Sequence, residues 1–447
     1  MKTYHVQTYG CQMNKHDSER VSGMLEEMGL TPVEDFAHAD VVVFMTCCVR
    51  EKADVRLKGV VSSLKYRKDA NPSMIIAVGG CIGQRDGQKL IDQIGHIDVV
   101  FGTQNVADLP SLIEAAYESK APQVSIKEAS EDFASDLPTH RESPFHAWLP
   151  ITVGCDNFCT YCVVPYVRGR ERSRKIEDIV AEAEKLVADG VKEITLLGQN
   201  VNSYGRDLYG EPRFAEVLRQ VAATGIKRLG FATSHPKDLT DETIATMAET
   251  QACLDYLHLP FQSGSNRILK EMNRVYSREQ YLELVEKVKR AMPGISLSTD
   301  IIVGFPGETE EDFEDTLSLY DACEFDQAFT FIYSPREGTP AATMPDQIPD
   351  DVSQERFQRL VARVQKYAYE DNQKTLNTLQ SVLIEGTSKR DESKLVARSR
   401  QNKVVHFPVP SNYPVDELVG RIALVRITDA QTWFIAGEFD SLEDDVK

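Results

Sequence analysis

Six of the nine cysteines in this 447-residue chain fall into two sets of three. Cys155, Cys159 and Cys162 form a C-x3-C-x2-C run. Three thiolates at that spacing can hold three irons of a cubane cluster, leaving the fourth iron open to a substrate or cofactor. A zinc site would normally take a fourth Cys or His, and no CxxC or HxxxH partner is visible in the sequence. A redox pair at Cys159 and Cys162 would leave Cys155 idle. Cys11, Cys47 and Cys81 repeat the count of three, 36 and 34 residues apart. Spacing alone leaves these three between a second metal site and inert buried thiols. Cys48 adjoins Cys47, while Cys253 and Cys323 lie in or beside helical segments and read as ordinary thiols.

Such residues need a scaffold. Cys11, Cys47 and Cys81 each follow a short apolar run, at residues 4–9, 41–45 and 74–78. The β-branched content of these runs suits buried parallel strands. A helix over residues 19–28, with Val21, Met24, Leu25 and Met28 on one face, makes the pattern β-α-β-α-β. The carboxyl ends of parallel strands share one edge, so the three cysteines can converge there. A second series places strands at 149–153, 193–197, 228–232, 256–261, 296–305 and 325–333. Amphipathic helices at 176–188, 280–292 and 310–322 alternate with them, the last with Thr309 as N-cap. Six βα units predict a partial parallel barrel, and Cys155–Cys162 follow its first strand on the edge where barrel chemistry occurs. Residues 128–146 are polar, acidic and Pro-containing, and read as a linker. After a helix near 354–369, five short runs between 380 and 438 predict a small all-β barrel or sandwich. The tail at 441–447 reads as frayed.

The net charge is −19, with 50 Lys and Arg against 69 Asp and Glu, which by itself points away from a polyanionic partner. Its distribution changes that reading. Residues 301–350 carry twelve acids and one Arg, whereas Arg168, Arg170, Arg172, Arg174 and Lys175 against Glu171 give +4 directly after the cysteine loop. Residues 356–403 carry a net +6, including Arg398 and Arg400. Both basic regions are candidate phosphate contacts, and His406-Phe407 supplies candidate exposed aromatics. The opening MKTYHVQTYG has no apolar h-region and no run approaches a membrane span, so a cytoplasmic protein is expected, a monomer without membrane partners.

The run GCDNFCTYCVVPYVRGRERSR, ahead of six βα units, resembles the radical S-adenosylmethionine (SAM) superfamily. TYGCQMNKHDSE, TCCVREKA and VGGC resemble the amino-terminal domain of methylthiotransferases, and LLGQNVNSYG, ATSHP, LHLPFQSGSNRILKEMNRVYSREQY, TDIIVGFPGETEEDF and FIYSPREGTPAA resemble the rest of that family's chain. The resemblance covers nearly the whole chain. It implies an α/β protein with an amino-terminal doubly wound parallel sheet (1–127), a linker (128–146), a partial (β/α)6 radical SAM barrel (147–375) and a small all-β TRAM domain that binds RNA (376–440). It implies two [4Fe–4S] clusters, one on Cys155, Cys159 and Cys162 and an auxiliary one on Cys11, Cys47 and Cys81. SAM would bind the open iron and be cleaved to a 5′-deoxyadenosyl radical with electrons from an external donor. The family's usual Asn-Thr-Cys is Met45-Thr46-Cys47 here, with Cys48 extra, so Cys47 is the aligned ligand and Cys48 a competitor.

The resemblance also suggests SAM contacts at Gly198, Gln199 and Asn200 after the second barrel strand, Gln262 and Ser263 after the fourth, and Asp300 in the fifth. His235 reads as a loop histidine satisfied by its neighbours rather than a ligand or base. TYGCQMN and DNFCTYC favour the branch that modifies tRNA over the one that modifies a ribosomal protein. The expected reaction places a methylthio group on C2 of an N6-isopentenyladenosine beside the anticodon. N6-threonylcarbamoyladenosine is the alternative substrate. A non-catalytic Fe–S RNA-binding protein is the alternative of a different class, against which the intact cysteine run argues.

Overall fold

The structure is a computed structural model that describes residues 1–48, 51–128 and 137–443, with residues 51–53 described by backbone alone. Part of the expected linker (129–136) and the end of the tail (444–447) lie outside the described residues. Six strands open the chain: β1 (Thr3–Thr8), β2 (Thr31–Pro32), β3 (Val41–Thr46), β4 (Ile75–Gly80), β5 (Val99–Phe101) and β6 (Gln123–Ser125). They form one parallel sheet in the order β2-β1-β3-β4-β5-β6. Every residue of β3 and β4 is buried, which is why both read as unbroken apolar runs rather than alternating ones. Val42, Phe44, Ile76 and Val78 face one helical layer with Leu57 and Val61. Val41, Val43, Ile75 and Ala77 face the other, with Val21, Met24, Leu25 and Ile113. Helices on both faces make the sheet doubly wound.

The first helix runs Gln12–Glu27, beginning seven residues before the expected start. Its first two turns bury the polar residues Asn14, His16 and Ser18, of which Asn14 bonds the chain beside the cysteines, where an apolar core would need apolar residues. Hydrophobic periodicity therefore could not reveal them. Strands β2, β5 and β6 were too short to stand out in the sequence.

The barrel is built from β7 (His146–Pro150), a small antiparallel pair β8 (Thr152–Val153) and β9 (Arg172–Ser173), then β10 (Glu193–Leu197), β11 (Arg228–Ala232), β12 (Tyr256–His258), β13 (Ser296–Val303) and β14 (Gln327–Ile332). Two parallel sheets, β11-β10-β7 and β12-β13-β14, meet through a bridge between Leu229 and Cys253, leaving β7 and β14 as open edges. Thr309 caps the helix Glu310–Cys323 in a reciprocal capping box with Asp312, as Ser277 does with Gln280 ahead of Arg278–Ala291. The long helix Asp350–Gln373 packs on β14. Among the described residues, no helix is long and apolar enough to cross a membrane.

The last five strands, β15 (Leu379–Ser388), β16 (Asp391–Ser399), β17 (Val404–Pro408), β18 (Ile422–Ala430) and β19 (Ile435–Leu442), close into a barrel. Phe407 belongs to its core, which corrects the expectation that it is exposed. The turn between β16 and β17 seats against the amino-terminal ends of the larger barrel's strands. Arg400 bonds Asp255 and the carbonyls of Gln251 and Cys253. Gln401 donates to the Gly294 carbonyl (2.7 Å), and Lys403 pairs with Asp326 and Asp371. Arg228, at the start of β11, bonds buried Glu193 (2.6 Å) and the carbonyls of Arg398 (3.2 Å) and Ser399 (3.0 Å).

Arg228→Met should therefore destabilise the chain by about 3–5 kcal/mol, because it leaves a buried carboxylate without its ion partner. Denaturant unfolding reads this. Adding Glu193→Gln should recover much of the loss; equal instability of single and double variants would place the cost elsewhere.

Candidate active site

The first three cysteines sit where adjacent strands end. Cys11 follows β1 and is the N-cap of Gln12–Glu27, Cys47 follows β3, and Cys81 follows β4 and starts the helix Cys81–Asp86. Because β1, β3 and β4 are neighbours, the expected convergence occurs. Gly10, at φ +113°, makes it possible, since a Cβ there would lie 2.2 Å from Cys47 Cβ. Buried Asn14 donates to the carbonyls of Tyr9 (2.7 Å) and Thr46 (2.8 Å), tying the turn after β1 to the end of β3. The Thr46 hydroxyl donates to Gly79 (2.6 Å) and accepts from the Ile82 amide (3.1 Å), which ties β3 to the Cys81 helix.

The thiols are polarised by one another. A hydrogen bond from Cys47, with help from the Arg168 charge, holds the Cys11 thiol down to about 6. A hydrogen bond from Cys48, again with Arg168, holds Cys81 at about 7, while Cys48 itself is pushed up as the donor. Cys48 is thus inside the group rather than outside it.

Cys155, Cys159 and Cys162 follow β8, at the carboxyl end of the first barrel strands. Gly154, at φ +85°, passes so close to the Arg170 carbonyl that a Cβ would lie 2.0 Å from it. The loop is pinned from outside. Asn273 donates to the carbonyls of Asn157 and Phe158 (3.2 and 3.0 Å), and Thr160 bonds Met272 and Glu271. Burial pushes Cys155 up to about 11 and Cys162 up to about 12. Buried Arg274 places Nη1 3.6 Å from the Cys159 sulfur.

Among the described residues, no three His, Cys, Asp or Glu side chains are placed to hold a single metal ion. A cubane asks for something different: each thiolate meets its own iron, so the sulfurs stand apart around a shared body. Two all-thiol sets, each of three cysteines at the carboxyl end of parallel strands, supply the donors that such a cluster takes.

The residues expected near SAM divide. A Cβ on Gly198 would lie 2.4 Å from Thr152 Cγ2, and Gln199 accepts from the Gly154 amide (2.5 Å), so both shape the cysteine loop. Asn200 gives its amide to Asp238 (2.7 Å) and keeps Oδ1 buried without a partner. Gln262, at φ +67°, and Ser263 are held by backbone bonds and by Thr316. Asp300 meets His258 Nε2 at 3.5 Å. Sequence reasoning missed Asn202 and Ser234, and took His235 for a loop histidine satisfied by its neighbours. Asn202 Nδ2, Ser234 Oγ and His235 Nε2 are buried and unpartnered on the same edge as Asn200. His235 is thus only half satisfied by its neighbours, since Nδ1 accepts from the Lys237 amide (3.3 Å) while Nε2 has no partner. Four such atoms together suit a polar ligand. The runs LLGQNVNSYG after β10 and ATSHP after β11 contain them.

The basic residues after the cysteine loop also divide, with corrections. Arg168 is only 4% exposed and bonds Asn14 (2.9 Å) and Asp17 (3.1 Å). Arg174 is buried against the Pro150 carbonyl and Glu182. Neither can meet phosphate without abandoning these partners. Arg170 is exposed and pairs with Asp156, Arg172 bonds Gln104, and Lys175 is exposed. Arg398 pairs with Glu385, and Arg400 is spent on the domain contact.

The fold and these thiol sets define a radical SAM protein. Residues 149–320 match the Radical SAM superfamily, residues 3–102 the uncharacterized protein family UPF0004, and residues 373–439 the TRAM domain. The chain is 49% identical over 438 residues to a tRNA-2-methylthio-N(6)-dimethylallyladenosine synthase of Thermoanaerobacter sp. (strain X514), covering 97% of this chain and 92% of that protein. It is 47% identical to the protein of that name from Carboxydothermus hydrogenoformans, covering 98% and 99%. The radical SAM methyltransferase TsrM of Kitasatospora setae shares the fold at TM-score 0.55 and 14% identity, covering 85% of this chain and 81% of that one. The chain belongs to the family of tRNA-2-methylthio-N(6)-dimethylallyladenosine synthases, and that membership implies a [4Fe–4S] cluster and SAM.

Cys48→Ala should leave iron per chain unchanged, and Cys47→Ala should remove about four irons, one cluster's worth. Iron analysis of the two purified variants decides between the neighbouring thiols; iron loss confined to Cys48→Ala would reverse the assignment.

Proposed function

We propose that this chain is a tRNA methylthiotransferase that converts N6-isopentenyladenosine beside the anticodon to its 2-methylthio derivative. The observation that carries the reading is the pair of three-thiol sets in a chain 49% identical to synthases of that name. The barrel set would be Cys155, Cys159 and Cys162, and the auxiliary set Cys11, Cys47 and Cys81. Residues 1–127, 147–375 and 376–440 would form the three domains, joined by the segment 128–146. When bound, the clusters and SAM supply radical and sulfur chemistry, which an unactivated aromatic C–H requires because acid–base steps cannot reach it at neutral pH.

The protein's own part is placement. Asn273 and Thr160 hold the barrel thiols still, and Gln199 fixes the turn that presents them. The unpartnered atoms of Asn200, Asn202, Ser234 and His235 would orient the polar groups of SAM. Arg170 and Lys175, exposed at the same edge, would meet phosphates of the tRNA.

Mass spectrometry of tRNA nucleosides from cells with and without the gene tests the substrate. Loss of 2-methylthio-isopentenyladenosine, with isopentenyladenosine accumulating, is the expected result. Unchanged levels, or loss of the threonylcarbamoyl counterpart instead, would refute it.

A further inference from the structure

Arg168 belongs by sequence to the barrel, six residues after Cys162. In space it belongs to the other cysteine set. The short helix Val164–Val167 carries the chain away from Cys162, and Arg168 N closes it on the Val164 carbonyl (2.8 Å). The amino-terminal domain grips the backbone there: Thr103 Oγ1 donates to the Val167 carbonyl (2.6 Å), and Gln104 Nε2 to the Arg168 carbonyl (2.7 Å). The side chain then enters the end of the parallel sheet. Nη2 bonds Asn14 Oδ1 and Asp17 Oδ2. Beside these bonds, the guanidinium charge helps to hold down the Cys81 and Cys11 thiols. Asn14 is the residue that ties the turn before Cys11 to the end of β3, so one side chain reaches the support shared by Cys11 and Cys47.

A fully buried guanidinium is costly unless negative charge surrounds it. Asp17 is one such charge. The remaining ones are the thiols, which carry negative charge when they ligate iron. Hydrogen bonds to cluster sulfurs and the net charge nearby are among the factors that set cluster potentials. The barrel set has a comparable donor in Arg274, on Cys159.

We propose that Arg168 is a positioning residue for the amino-terminal cluster, whose guanidinium raises that cluster's reduction potential and ties its thiols to the barrel's cysteine loop. This rests on the reading that Cys11, Cys47 and Cys81 hold a cluster.

The test uses the full-length chain carrying Cys155→Ala, Cys159→Ala and Cys162→Ala, so that only the amino-terminal set can bind iron. Arg168→Gln and Arg168→Lys are added to it, and iron content and an EPR-monitored redox titration are measured. Withdrawing a positive charge disfavours the added electron, so Arg168→Gln should shift the one-electron equilibrium toward the oxidised form about tenfold, ~59 mV more negative. Arg168→Lys keeps the charge and should recover most of that shift. A parent that binds no iron refutes the cluster reading itself. A loaded parent overturns the role of Arg168 alone if the potential of Arg168→Gln is unchanged, or if both variants lose iron equally.

Discussion

Cys159→Ala should reduce SAM cleavage to background while the purified chain keeps about four of about eight irons. Cys159 is the most buried thiol of the barrel set and the one that meets Arg274. Alanine removes the sulfur and its contact with Arg274 but keeps the loop's other supports, which are made at the carbonyls of Asn157 and Phe158 and at the Thr160 amide and hydroxyl. The amino-terminal set rests on separate bonds through Asn14 and Thr46, so its iron should survive. Anaerobic incubation with SAM and a strong reductant, followed by chromatography for 5′-deoxyadenosine, measures the loss. Cleavage at the unsubstituted rate would remove the barrel set from the chemistry. Loss of all iron would mean that the two sets are not independent.

Much of this arrangement is legible in sequence because strands buried on both faces leave apolar runs. The runs before Cys11, Cys47 and Cys81 placed those residues on one edge, and the six barrel units placed Cys155–Cys162 on another. What escaped detection is polar and buried. The helix from Gln12 starts with buried polar residues, so no apolar stripe marks its start. Asn202, Ser234 and the open Nε2 of His235 were hidden because an unpartnered buried atom is a fact of packing, without a spacing pattern.

Charge was the least reliable guide, because a linear tally cannot see pairing across the fold. Four cations of 356–403 face five acids of 301–350. Arg356 bonds Glu308 and Glu310, Arg359 bonds Glu310 and Glu314, Arg363 bonds Asp321, and Lys403 meets Asp326. Part of the +6 region is therefore a clamp between the long helix, the small barrel and the large one. Arg168 repeats the lesson at the other patch, where a cation expected at the surface is an internal partner of thiols.

Cys11→Ala should produce the opposite split from Cys159→Ala: 5′-deoxyadenosine still forms, while methylthiolated tRNA falls to background. Cys11 caps the helix Gln12–Glu27 without a side-chain hydrogen bond to its backbone, so alanine should cost the helix little. Asn14 would still join Tyr9 and Thr46, and Arg168 would still reach Asn14 and Asp17. The barrel's cysteine loop keeps every bond to Asn273, Thr160 and Gln199 that presents its thiols. Sulfur delivery and radical formation should thus separate in one variant, read by quantifying 5′-deoxyadenosine and modified nucleoside from the same reaction. Retained methylthiolation would show that Cys11 is dispensable. Loss of cleavage as well would point to the link through Arg168, because it is the side chain by which the barrel segment enters the amino-terminal site.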